Sequence, residues 1–500
     1  MTAEASPRPA DRITVHNPRD GRIVGEVPVT RPQLVVAAAD RARVAFAEWA
    51  SMTHAERRPH LRAFTRTVLR RMDDIAETIC SETGKHAGDA MAEVTAALTA
   101  MDFTARHAIK LLRPKRGGSW PFPSTRGWME FHPIGVAGVI SPANYPFYLT
   151  MLATIQALGA GCTVVLKPSE LTPRSGALVA SLATEAGLPE GVVTVVYGYG
   201  ETGAALVEAV DVVAFTGSTE TGKRVAAQAA ETLKPVVLEL GGKDAMIVLE
   251  DADVRNAARA AVTFGMFNAG QTCTAVERVY VVDEVYDEFV AEALRATGKL
   301  NAGDGDGADI GPMIDPAQIA IVEAHMADAL AKGATVLEGG ARRDTGFGIF
   351  YEPTLLVDVD HTMQVMRDET FGPVLPVMRV PDEAAAVRMA NDSRYGLHGS
   401  VWTKDKRRAE RVAAAMSTGT VAINDHMVNF FFPSIRLGGI NDSGIGGLLG
   451  EDGLKAFCRH KSITQARMMP TTKLMGGWLP RRVGPRYWKL LARALFAWRR

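Results

Sequence analysis

The sequence predicts an α/β protein built from two parallel-sheet domains in series. Short runs of apolar, β-branched residues alternate with Ala-rich stretches of helical length, which is typical of a parallel sheet covered by helices on both faces. The alternation starts again after Asp244, so a second sheet is expected in the later half of the chain. With 500 residues, of which 47% are apolar and 22% charged, the chain is long enough for two large cores.

The predicted elements begin after a polar, proline-containing leader at residues 1–11. Ala- and Arg-rich amphipathic runs predict mostly helix from about residue 30 to residue 110, and a break rich in Pro, Gly, Ser and Trp follows at 114–126. The β-branched runs predict strands at residues 136–141, 163–167, 192–197, 212–216, 236–240, 245–248, 278–282 and 420–424.

The composition excludes several kinds of protein. The four cysteines are scattered without a CxxC pair or a His/Cys cluster, so we expect no metal site, no disulfide framework and a reducing, cytoplasmic setting. The polar N-terminus lacks the apolar core of a secretory signal, and no uncharged apolar run reaches the roughly 18 residues of a membrane span. An acidic excess before residue 453 argues against nucleic-acid binding.

A glutamate and a cysteine indicate covalent chemistry. Glu239 lies in LELGGK and Cys273 lies in NAGQTC, and each stretch is a glycine-containing turn after an apolar run, which can present a side chain at a site. A thiolate is a strong nucleophile, and a carboxylate can take a proton from water. Together the two residues can form an acyl-enzyme and then hydrolyse it.

Two turns at strand ends carry residue types that bind a nucleotide. FTGSTETG holds Gly217, Ser218 and Gly222 where a strand passes into a helix, so helix N–H groups can meet a phosphate; the alternative is an ordinary capped helix start. KPSE places Lys167 and Glu170 after another strand, where they can hydrogen-bond a ribose; the alternative is a solvated loop.

Two further turns have opposite interpretations. Asn144 in SPANYP is held between two prolines, so its amide can serve as a donor to a developing oxyanion, although an asparagine in a plain turn is the alternative. GYGETG at residues 198–203 matches GxGxxG, but no acidic residue ends a second strand about 20 residues later, so we interpret it as a chance match.

The order of these motifs resembles that of the NAD(P)-dependent aldehyde dehydrogenases over about residues 15–462. The matching segments are SPANYP, VVLKPSELTP, FTGSTETG, LELGGK, NAGQTC, ETFGPV and GTVAIN. The resemblance implies two Rossmann-like domains, with an NAD-binding domain at 12–114 and 134–240 and a catalytic domain at 241–440. It also implies a small β oligomerisation arm and C-terminal wrap at 115–133 and 441–470, and therefore a homodimer or homotetramer.

The resemblance implies a role for each matching residue. Cys273 would be the nucleophile, Glu239 the general base that releases a free acid rather than a coenzyme A ester, and Asn144 an oxyanion donor. The residues implied to bind the cofactor are Lys167, Glu170, Gly217, Ser218, Gly222, Glu369 and Phe371. A carboxylate at Glu170 would repel a 2′-phosphate, so NAD is expected in preference to NADP. A non-catalytic scaffold, the competing hypothesis, needs none of the catalytic residues.

The sequence is compatible with two classes of substrate, an apolar aldehyde and a carboxylated aldehyde. An apolar tunnel for aliphatic or aromatic aldehydes is expected from Phe147, Leu149, Leu152 and the phenylalanines at 430–432, although these three can equally serve packing or a subunit contact. Arg436 can instead hold the carboxylate of a substrate such as succinic semialdehyde. The chain departs from the family pattern at Ala143, Asp244 and Leu437, which puts the fine shape of the site in doubt.

The C-terminal segment is basic. After Asp452 there is no acidic residue, whereas residues 453–500 hold twelve Lys and Arg. Within the tail at 475–500, the pattern after residue 486 predicts an amphipathic helix with Trp and Tyr opposite cations, which suits an anionic membrane surface on the inner face. The alternative is a helix docked on the protein body or on a partner subunit.

Overall fold

A computed structural model describes residues 11–119, 125–303, 308–344, 347–467 and 484–497. The leader predicted at 1–11 lies, apart from its last residue, outside the described residues, as does the segment 468–483 that precedes the C-terminal helix.

The first half of the chain contains nine strands and eight helices among its described residues. The strands are β1 (Arg12–His16), β2 (Ile23–Pro28), β3 (Lys115–Gly117), β4 (Thr125–Pro133), β5 (Val136–Ile140), β6 (Thr163–Lys167), β7 (Val193–Val195), β8 (Val212–Thr216) and β9 (Val236–Glu239). The helices are α1 (Pro32–Ser51), α2 (His54–Arg70), α3 (Met72–Thr83), α4 (Ala87–Leu111), α5 (Tyr148–Ala160), α6 (Pro173–Glu185), α7 (Gly200–Ala209) and α8 (Thr219–Ala230).

The described part of the second half adds eleven strands and eight helices. The strands are β10 (Ala245–Val248), β11 (Arg278–Val282), β12 (Thr335–Glu338), β13 (Arg342–Asp344), β14 (Ile349–Tyr351), β15 (Thr354–Val357), β16 (Val374–Val380), β17 (His398–Trp402), β18 (Thr420–Ile423), β19 (Gly444–Ile445) and β20 (Cys458–Ala466). The helices are α9 (Val254–Met266), α10 (Asp283–Thr297), α11 (Pro316–Ala331), α12 (Gln364–Arg367), α13 (Glu383–Asn391), α14 (Lys406–Ala415), α15 (Gly450–Ala456) and α16 (Gly484–Phe496).

The two-sheet α/β fold is confirmed. The six-stranded sheet has the order β19-β9-β8-β5-β6-β7 and the seven-stranded sheet the order β12-β15-β16-β11-β10-β17-β18. All neighbouring strands are parallel except β19 beside β9 and β12 beside β15. Strands β5, β6, β10 and β11 are buried along their whole length because helices cover both faces of each sheet.

The strand order of the first sheet creates the place for a site. Strand β5 pairs with β6 on one side and with β8 on the other, because the chain runs outward from β5 through β6 to β7 and then crosses back to β8. Such a switch point opens a crevice outside the carboxyl ends of the strands. The segments that follow β5, β6, β8 and β9 therefore meet there.

A separate three-stranded sheet has the order β20-β4-β3. Strand β4 pairs antiparallel with β20 along nine residues of each strand and with β3 on its other side. It joins the two segments from which we predict the oligomerisation arm, and its role in assembly stays a prediction. Among the described residues, no helix combines the length and the apolar composition that crossing a membrane requires.

Candidate active site

A cavity of about 860 Å³ lies at the switch point and holds almost all of the predicted site residues. The predicted residues that line it are Asn144, Lys167, Glu170, Gly217, Ser218, Glu239, Cys273, Glu369 and Phe371. Gly222 does not line it: a Cβ there would overlap the side chain of Leu240, so this glycine allows α8 to pack on Leu240.

The loop before Cys273 has an unusual backbone. Three consecutive residues, Asn268, Ala269 and Gly270, adopt left-handed conformations with φ of +53°, +58° and +71°. A side chain at Gly270 would overlap the carbonyl of Gly372, so only glycine fits. This tight turn lies just before Cys273, which is in the loop that precedes β11 and lines the cavity at the switch point.

Gln271 and Asn144 tie the loop to both halves of the molecule. The Gln271 side-chain oxygen accepts a hydrogen bond from Ile314 N at 2.8 Å, and its backbone oxygen accepts one from Asn144 Nδ2 at 3.0 Å. Asn268 Nδ2 donates in turn to the Asn144 carbonyl at 3.2 Å. The predicted nucleophile and the predicted oxyanion donor are therefore held together by a shared network.

The surroundings of Cys273 oppose ionisation of the thiol. Burial raises the pKa of Cys273 far above its usual range, and the carboxyl groups of Asp244, Glu369 and Glu239 raise it further, whereas its own backbone N–H lowers it. The free enzyme therefore holds a protonated thiol at neutral pH. A positive charge in the cavity would lower the pKa of Cys273 and favour the thiolate.

Glu239 ends β9 and is buried, with 7% of its surface exposed. Burial raises the pKa of Glu239 to about 8, although a backbone hydrogen bond from Leu448 and the charge of Arg436 lower it. Among the described residues its Oε1 has no hydrogen-bond partner. A buried acceptor that lines a cavity and lacks a protein partner is suited to hold a water molecule.

A buried ion pair positions the segment after β5. Lys85 Nζ donates to Glu93 Oε2 at 2.9 Å and to the Asn144 carbonyl at 2.6 Å. The other Glu93 oxygen accepts hydrogen bonds from Phe147 N and Tyr148 N at 2.8 and 3.0 Å. The pair thus fixes Asn144 and the start of α5. The sequence analysis missed both charged residues.

Glu369 faces the glycines that follow Glu239. Gly242 N donates to Glu369 Oε1 at 3.0 Å, and a side chain at Gly241 would overlap the other carboxyl oxygen. Burial raises the pKa of Glu369 to about 8, and the neighbouring charge of Glu277 also raises it. This carboxyl group is therefore held against the cavity in a mainly protonated form at pH 7.

A second buried ion pair holds the residues that directly follow Glu369. Lys243 Nζ pairs with Glu277 and donates to Thr370 Oγ1 at 3.1 Å. Glu277 accepts hydrogen bonds from Thr370 N at 2.9 Å and from Phe371 N at 2.8 Å, and Phe371 has a φ of +50°. The sequence analysis gave Lys243 no role and missed Glu277, although a lone acidic residue directly before the apolar strand β11 is a signal of a buried pair.

The far end of the cavity carries the predicted nucleotide residues. Lys167 Nζ lies 3.6 Å from Glu170 Oε2, and burial lowers the pKa of Lys167 while Glu170 raises it. Ser218 is the N-cap of α8 and accepts a hydrogen bond from Thr221 N at 3.4 Å. Ser218 thus caps α8 and also lines the cavity, so the two interpretations of this turn are compatible.

The turn at 198–203, interpreted above as a chance match, lies on the cavity wall. Gly200 and Gly203 line the cavity, and a Cβ at Gly203 would lie 3.6 Å from the Lys167 side chain. The turn is not the one at the switch point, because it follows β7 at the edge of the sheet. The turn and Lys167 therefore line the same cavity.

A second cavity of about 330 Å³ lies near the residues that flank Cys273. Two of its lining residues contact the neighbours of Cys273: the Tyr145 hydroxyl lies 2.7 Å from Thr272 Oγ1, and His426 Nε2 lies 3.0 Å from the Thr274 carbonyl. The aromatic residues that line it are Tyr145, Tyr148, Phe264, Phe267, Phe430 and Phe431, with His426 beside them.

The structure corrects part of the predicted substrate tunnel. Phe430 and Phe431 line the second cavity as predicted, but Phe147 and Leu152 are fully buried in the core of the first domain and line neither cavity. They belong to the buried region around α5, which is apolar on every side. Helical periodicity alone cannot distinguish such core residues from tunnel residues.

Arg436 also lies elsewhere than the semialdehyde hypothesis requires. Its guanidinium donates to the Gly446 carbonyl, and the residue lines neither cavity. The ionisable residues that line the second cavity, apart from His426, are acidic: Asp89, Glu93 and Asp425. The described wall of this cavity therefore offers no cation to a substrate carboxylate.

Comparisons with known sequences agree with this geometry. The model of the aldehyde dehydrogenase family matches residues 5–463. A 4,4'-diapolycopene aldehyde oxidase of Methylomonas is 41% identical over 449 residues, which cover 89% of this chain and 84% of that protein. The NADP(+)-dependent succinate-semialdehyde dehydrogenase of Escherichia coli is 39% identical over 442 residues, which cover 87% of this chain and 90% of that protein.

Solved structures show the same relationship. An NADP-dependent enzyme of E. coli superposes with a TM-score of 0.88 at 37% identity, covering 91% of this chain and 95% of that one. Betaine aldehyde dehydrogenase of Staphylococcus aureus in complex with NAD+ has a TM-score of 0.88 at 32% identity, and the match covers 94% of each chain. The chain therefore belongs to the aldehyde dehydrogenase family and is an NAD(P)-dependent oxidoreductase.

Proposed function

We propose that this enzyme oxidises apolar aldehydes to carboxylic acids, with Cys273 as nucleophile, Glu239 as general base and Asn144 as oxyanion donor. The observation that carries the proposal is the single cavity that joins Lys167 and Glu170 at one end to Cys273 at the other. Glu239 and Asn144 line the same cavity, so the proposed catalytic residues and the proposed cofactor residues share one cavity.

The residues of this cavity fit an NAD(P)+ molecule. A volume of about 860 Å³ is in the range of cofactor sites. Lys167 and Glu170 would hold a ribose, and Gly217 and Ser218 would meet the phosphates at the start of α8. Glu369 would hold the second ribose beside Phe371. When bound, NAD(P)+ supplies the hydride acceptor and a positive ring charge.

The first chemical step takes place at Cys273. Proton loss from the thiol is favoured when a cation in the cavity lowers the pKa of Cys273. The thiolate attacks the aldehyde carbon and leaves an alkoxide, which Asn144 Nδ2 and the Cys273 N–H would stabilise. One such donor is worth about 2.7–4 kcal/mol in the transition state. Loss of hydride then converts the thiohemiacetal to a thioester.

The second step needs Glu239 in its ionised form. The carboxylate would take a proton from a water molecule that attacks the thioester; the C–S bond then breaks, the carboxylic acid leaves and the Cys273 thiolate is regenerated. Because the pKa of Glu239 is raised to about 8, the ionised fraction is small at pH 7 and grows toward alkaline pH. Hydrolysis is therefore expected to limit turnover at neutral pH.

The choice between NAD+ and NADP+ depends on opposite charges at the far end of the cavity. Glu170 lines the cavity and would repel a 2′-phosphate. Arg224 lines it as well and would attract one. We infer a preference for NAD+ because Glu170 is already paired with Lys167 at the position that faces a ribose, and we expect this preference to be modest.

The aromatic lining of the second cavity supports an apolar substrate. Six aromatic rings surround it, and its described wall holds acidic but no basic side chains. An aldehyde with a carboxylate would meet Asp89 and Asp425, and the nearest lysine, Lys85, is already paired with Glu93. Some relatives are named succinate- or glutarate-semialdehyde dehydrogenases, so this alternative must be tested directly.

The test measures kcat/KM for hexanal, benzaldehyde and succinic semialdehyde, with an ω-amino aldehyde as the substrate of opposite charge. We expect hexanal and benzaldehyde to be preferred over succinic semialdehyde by at least about tenfold, since transferring an unpaired carboxylate from water is costly. Preference for succinic semialdehyde, together with its selective loss in Arg436→Leu, would overturn the proposal in favour of the alternative. Absence of turnover on protein that binds NAD+ would support a scaffold.

We propose in addition that the C-terminal helix binds an anionic membrane surface. Helix α16 exposes Arg486, Lys489 and Arg493 as well as Trp488 and Leu490, of which the last two are 48% and 71% exposed. Cations interspersed with exposed apolar residues suit the interface of a charged bilayer. Sedimentation with phosphatidylserine vesicles should fall when the three cations are replaced by glutamate, and neutral vesicles serve as the control. Unchanged sedimentation would contradict the proposal.

We also propose that the enzyme is a dimer or tetramer assembled through the sheet β20-β4-β3. Both outer strands of this sheet present a free edge in the described part of the chain, and such edges favour pairing with another chain. Light scattering coupled to size-exclusion chromatography measures the oligomeric state. A monomer at micromolar concentration would contradict this assembly.

A further inference from the structure

A buried histidine connects the substrate cavity with the segment that carries Cys273. His426 is fully buried, lies after β18 and lines the second cavity. Its Nε2 lies 3.0 Å from the carbonyl oxygen of Thr274, the residue directly after Cys273. Its Nδ1 lies 2.8 Å from Ser400 Oγ on β17. Neither the motifs nor the proposed chemistry assigns this residue a role.

The partners of His426 determine its tautomer. The Thr274 carbonyl can only accept a hydrogen bond, so Nε2 must carry the proton and donate. Nδ1 is then an acceptor for the hydroxyl of Ser400. Burial lowers the pKa of His426 well below its usual range, and the neighbouring His398 lowers it further, so the ring is neutral at physiological pH.

His398 supports the other face of this arrangement. The Thr420 hydroxyl donates to the Leu397 carbonyl at 3.1 Å, so it accepts from His398 Nδ1 at 2.8 Å. His398 Nε2 is thereby free to accept a hydrogen bond from Met427 N at 3.4 Å. The two rings lie 4.5 Å apart in an edge-to-face arrangement. The two neutral rings are therefore opposite tautomers. His398 holds the backbone N–H of Met427, directly after His426, and the His426 ring is held by its own two hydrogen bonds.

We propose that His426 is a positioning residue: its Nε2–H holds the Thr274 carbonyl and thereby aligns Cys273 with an aldehyde in the second cavity. The inference rests on the proposed role of Cys273 as nucleophile. The Thr274 hydroxyl is buried without a partner among the described residues, so the His426 bond is the side-chain contact that anchors this residue. Displacement of a reacting atom by about 1 Å can lower a rate by about a hundredfold.

Three substitutions separate this role from general packing. The amide of His426→Gln can reach the Thr274 carbonyl, the shorter amide of His426→Asn can reach only the Ser400 side, and His426→Leu reaches neither. Single-turnover formation of NADH with hexanal should fall by about tenfold to a hundredfold in the Asn and Leu variants, and the Gln variant should recover to within about threefold of wild type. NAD+ affinity should stay unchanged in all three, because His426 does not line the first cavity.

Two controls keep the test decisive. Ser400→Ala removes only the Nδ1 partner and should lower the single-turnover rate less than His426→Asn does. If His426→Leu fails to fold, the comparison of Gln with Asn, two amides of similar polarity, still tests the inference. A single-turnover rate within twofold of wild type in the Asn variant, or equal losses in the Gln and Asn variants, would overturn it. Full turnover by Cys273→Ala would instead overturn the proposed function.

Discussion

Two buried lysine–glutamate pairs support opposite walls of the active-site cavity. Lys85 and Glu93 hold the segment after β5, on the side of the second cavity. Lys243 and Glu277 hold the segment from Glu369 to Phe371, on the side of the cofactor. In each pair the carboxylate accepts two backbone N–H groups besides the lysine. Because a buried ion pair adds little net stability, we interpret both as positioning devices for catalytic loops.

The two pairs differ in the charge around them. Near Lys243 lie two further carboxyl groups, Asp244 and Glu369, and burial raises the pKa of both above their usual range. Lys85 instead donates a second hydrogen bond to a backbone carbonyl and lies 4.4 Å from the centre of the Tyr145 ring. The wall near Lys243 therefore carries more buried carboxyl groups, whereas the wall near Lys85 combines the carboxyl group of Asp89 with aromatic rings. The same kind of pair thus serves two different environments.

Cys273 lies where the two walls meet, so its removal should have the largest effect. We expect Cys273→Ala to lower kcat by at least about 10⁴-fold, since loss of a nucleophile removes the covalent path altogether. NAD+ binding should persist, because the cofactor wall remains intact. The assay is NADH formation combined with a cofactor titration. Cys80→Ala, at a half-buried thiol of α3, is the control and should remain active.

The pH profile tests the cofactor-proximal carboxyl Glu239. Protonation of Glu239 below its pKa of about 8 should lower kcat as the pH falls, and Glu239→Gln should lower kcat by about 10²–10⁴-fold and abolish this acid limb. A burst of NADH should persist in the variant because the thioester still forms. A kcat that is independent of pH between 6 and 9 in the wild type would contradict the role of this base.

The same group has a stability effect of defined sign. The folded enzyme binds the Glu239 proton more tightly than the unfolded chain, whose pKa is near 4.5. Between these two pKa values the native state holds more protons, so the contribution of Glu239 to stability declines as the pH rises toward 8. Glu239→Gln should therefore raise Tm relative to wild type more at pH 9 than at pH 5. Equal differences at both pH values would contradict the raised pKa.

Breaking the ion pairs compares the two walls directly. Lys85→Met and Lys243→Met each leave a buried carboxylate unpaired and should each lower the free energy of unfolding by about 3–5 kcal/mol. Lys85→Met should lower kcat without changing NAD+ affinity, whereas Lys243→Met should weaken NAD+ binding. Denaturant unfolding and cofactor titration measure the two effects.

The matched control for these substitutions is Lys332→Met, at a partly exposed pair with Asp328, which should cost less than about 1 kcal/mol. Equal losses of NAD+ affinity in the Lys85 and Lys243 variants would show that the two walls are not independent.

The smallest expected effect concerns cofactor choice. Glu170→Gln should improve kcat/KM for NADP+ relative to NAD+ by about fivefold, because half-exposed charges interact by about 1 kcal/mol or less. Arg224→Gln should change the ratio in the opposite direction. Glu201→Gln, at an acidic residue of α7 that does not line the cavity, is the control. An unchanged ratio in both cavity variants would contradict the proposed basis of the preference.

Local sequence patterns predicted the architecture well. All eight predicted strands are present, with bounds that shift by at most two residues, because β-branched runs of this length bury well in a parallel sheet. The predicted site residues also came together, since most of them directly follow strands whose carboxyl ends share one edge. Strands β12 to β17 were not predicted; β12 at the sheet edge lacks the fully apolar pattern of the inner strands, but β16 and β17 are inner strands and were missed despite their burial.

What the sequence by itself determined is the alternation of strands and helices and the residues that the turns present at the cavity. Only the tertiary structure decided which charges pair, that Phe147 and Leu152 belong to a core, and that Arg436 does not line the second cavity. The physical reason is the distance along the chain over which each interaction acts. Periodicity and turn chemistry act over a few residues, whereas the pairing of Lys243 with Glu277, or of His426 with Thr274, depends on segments that only packing brings together.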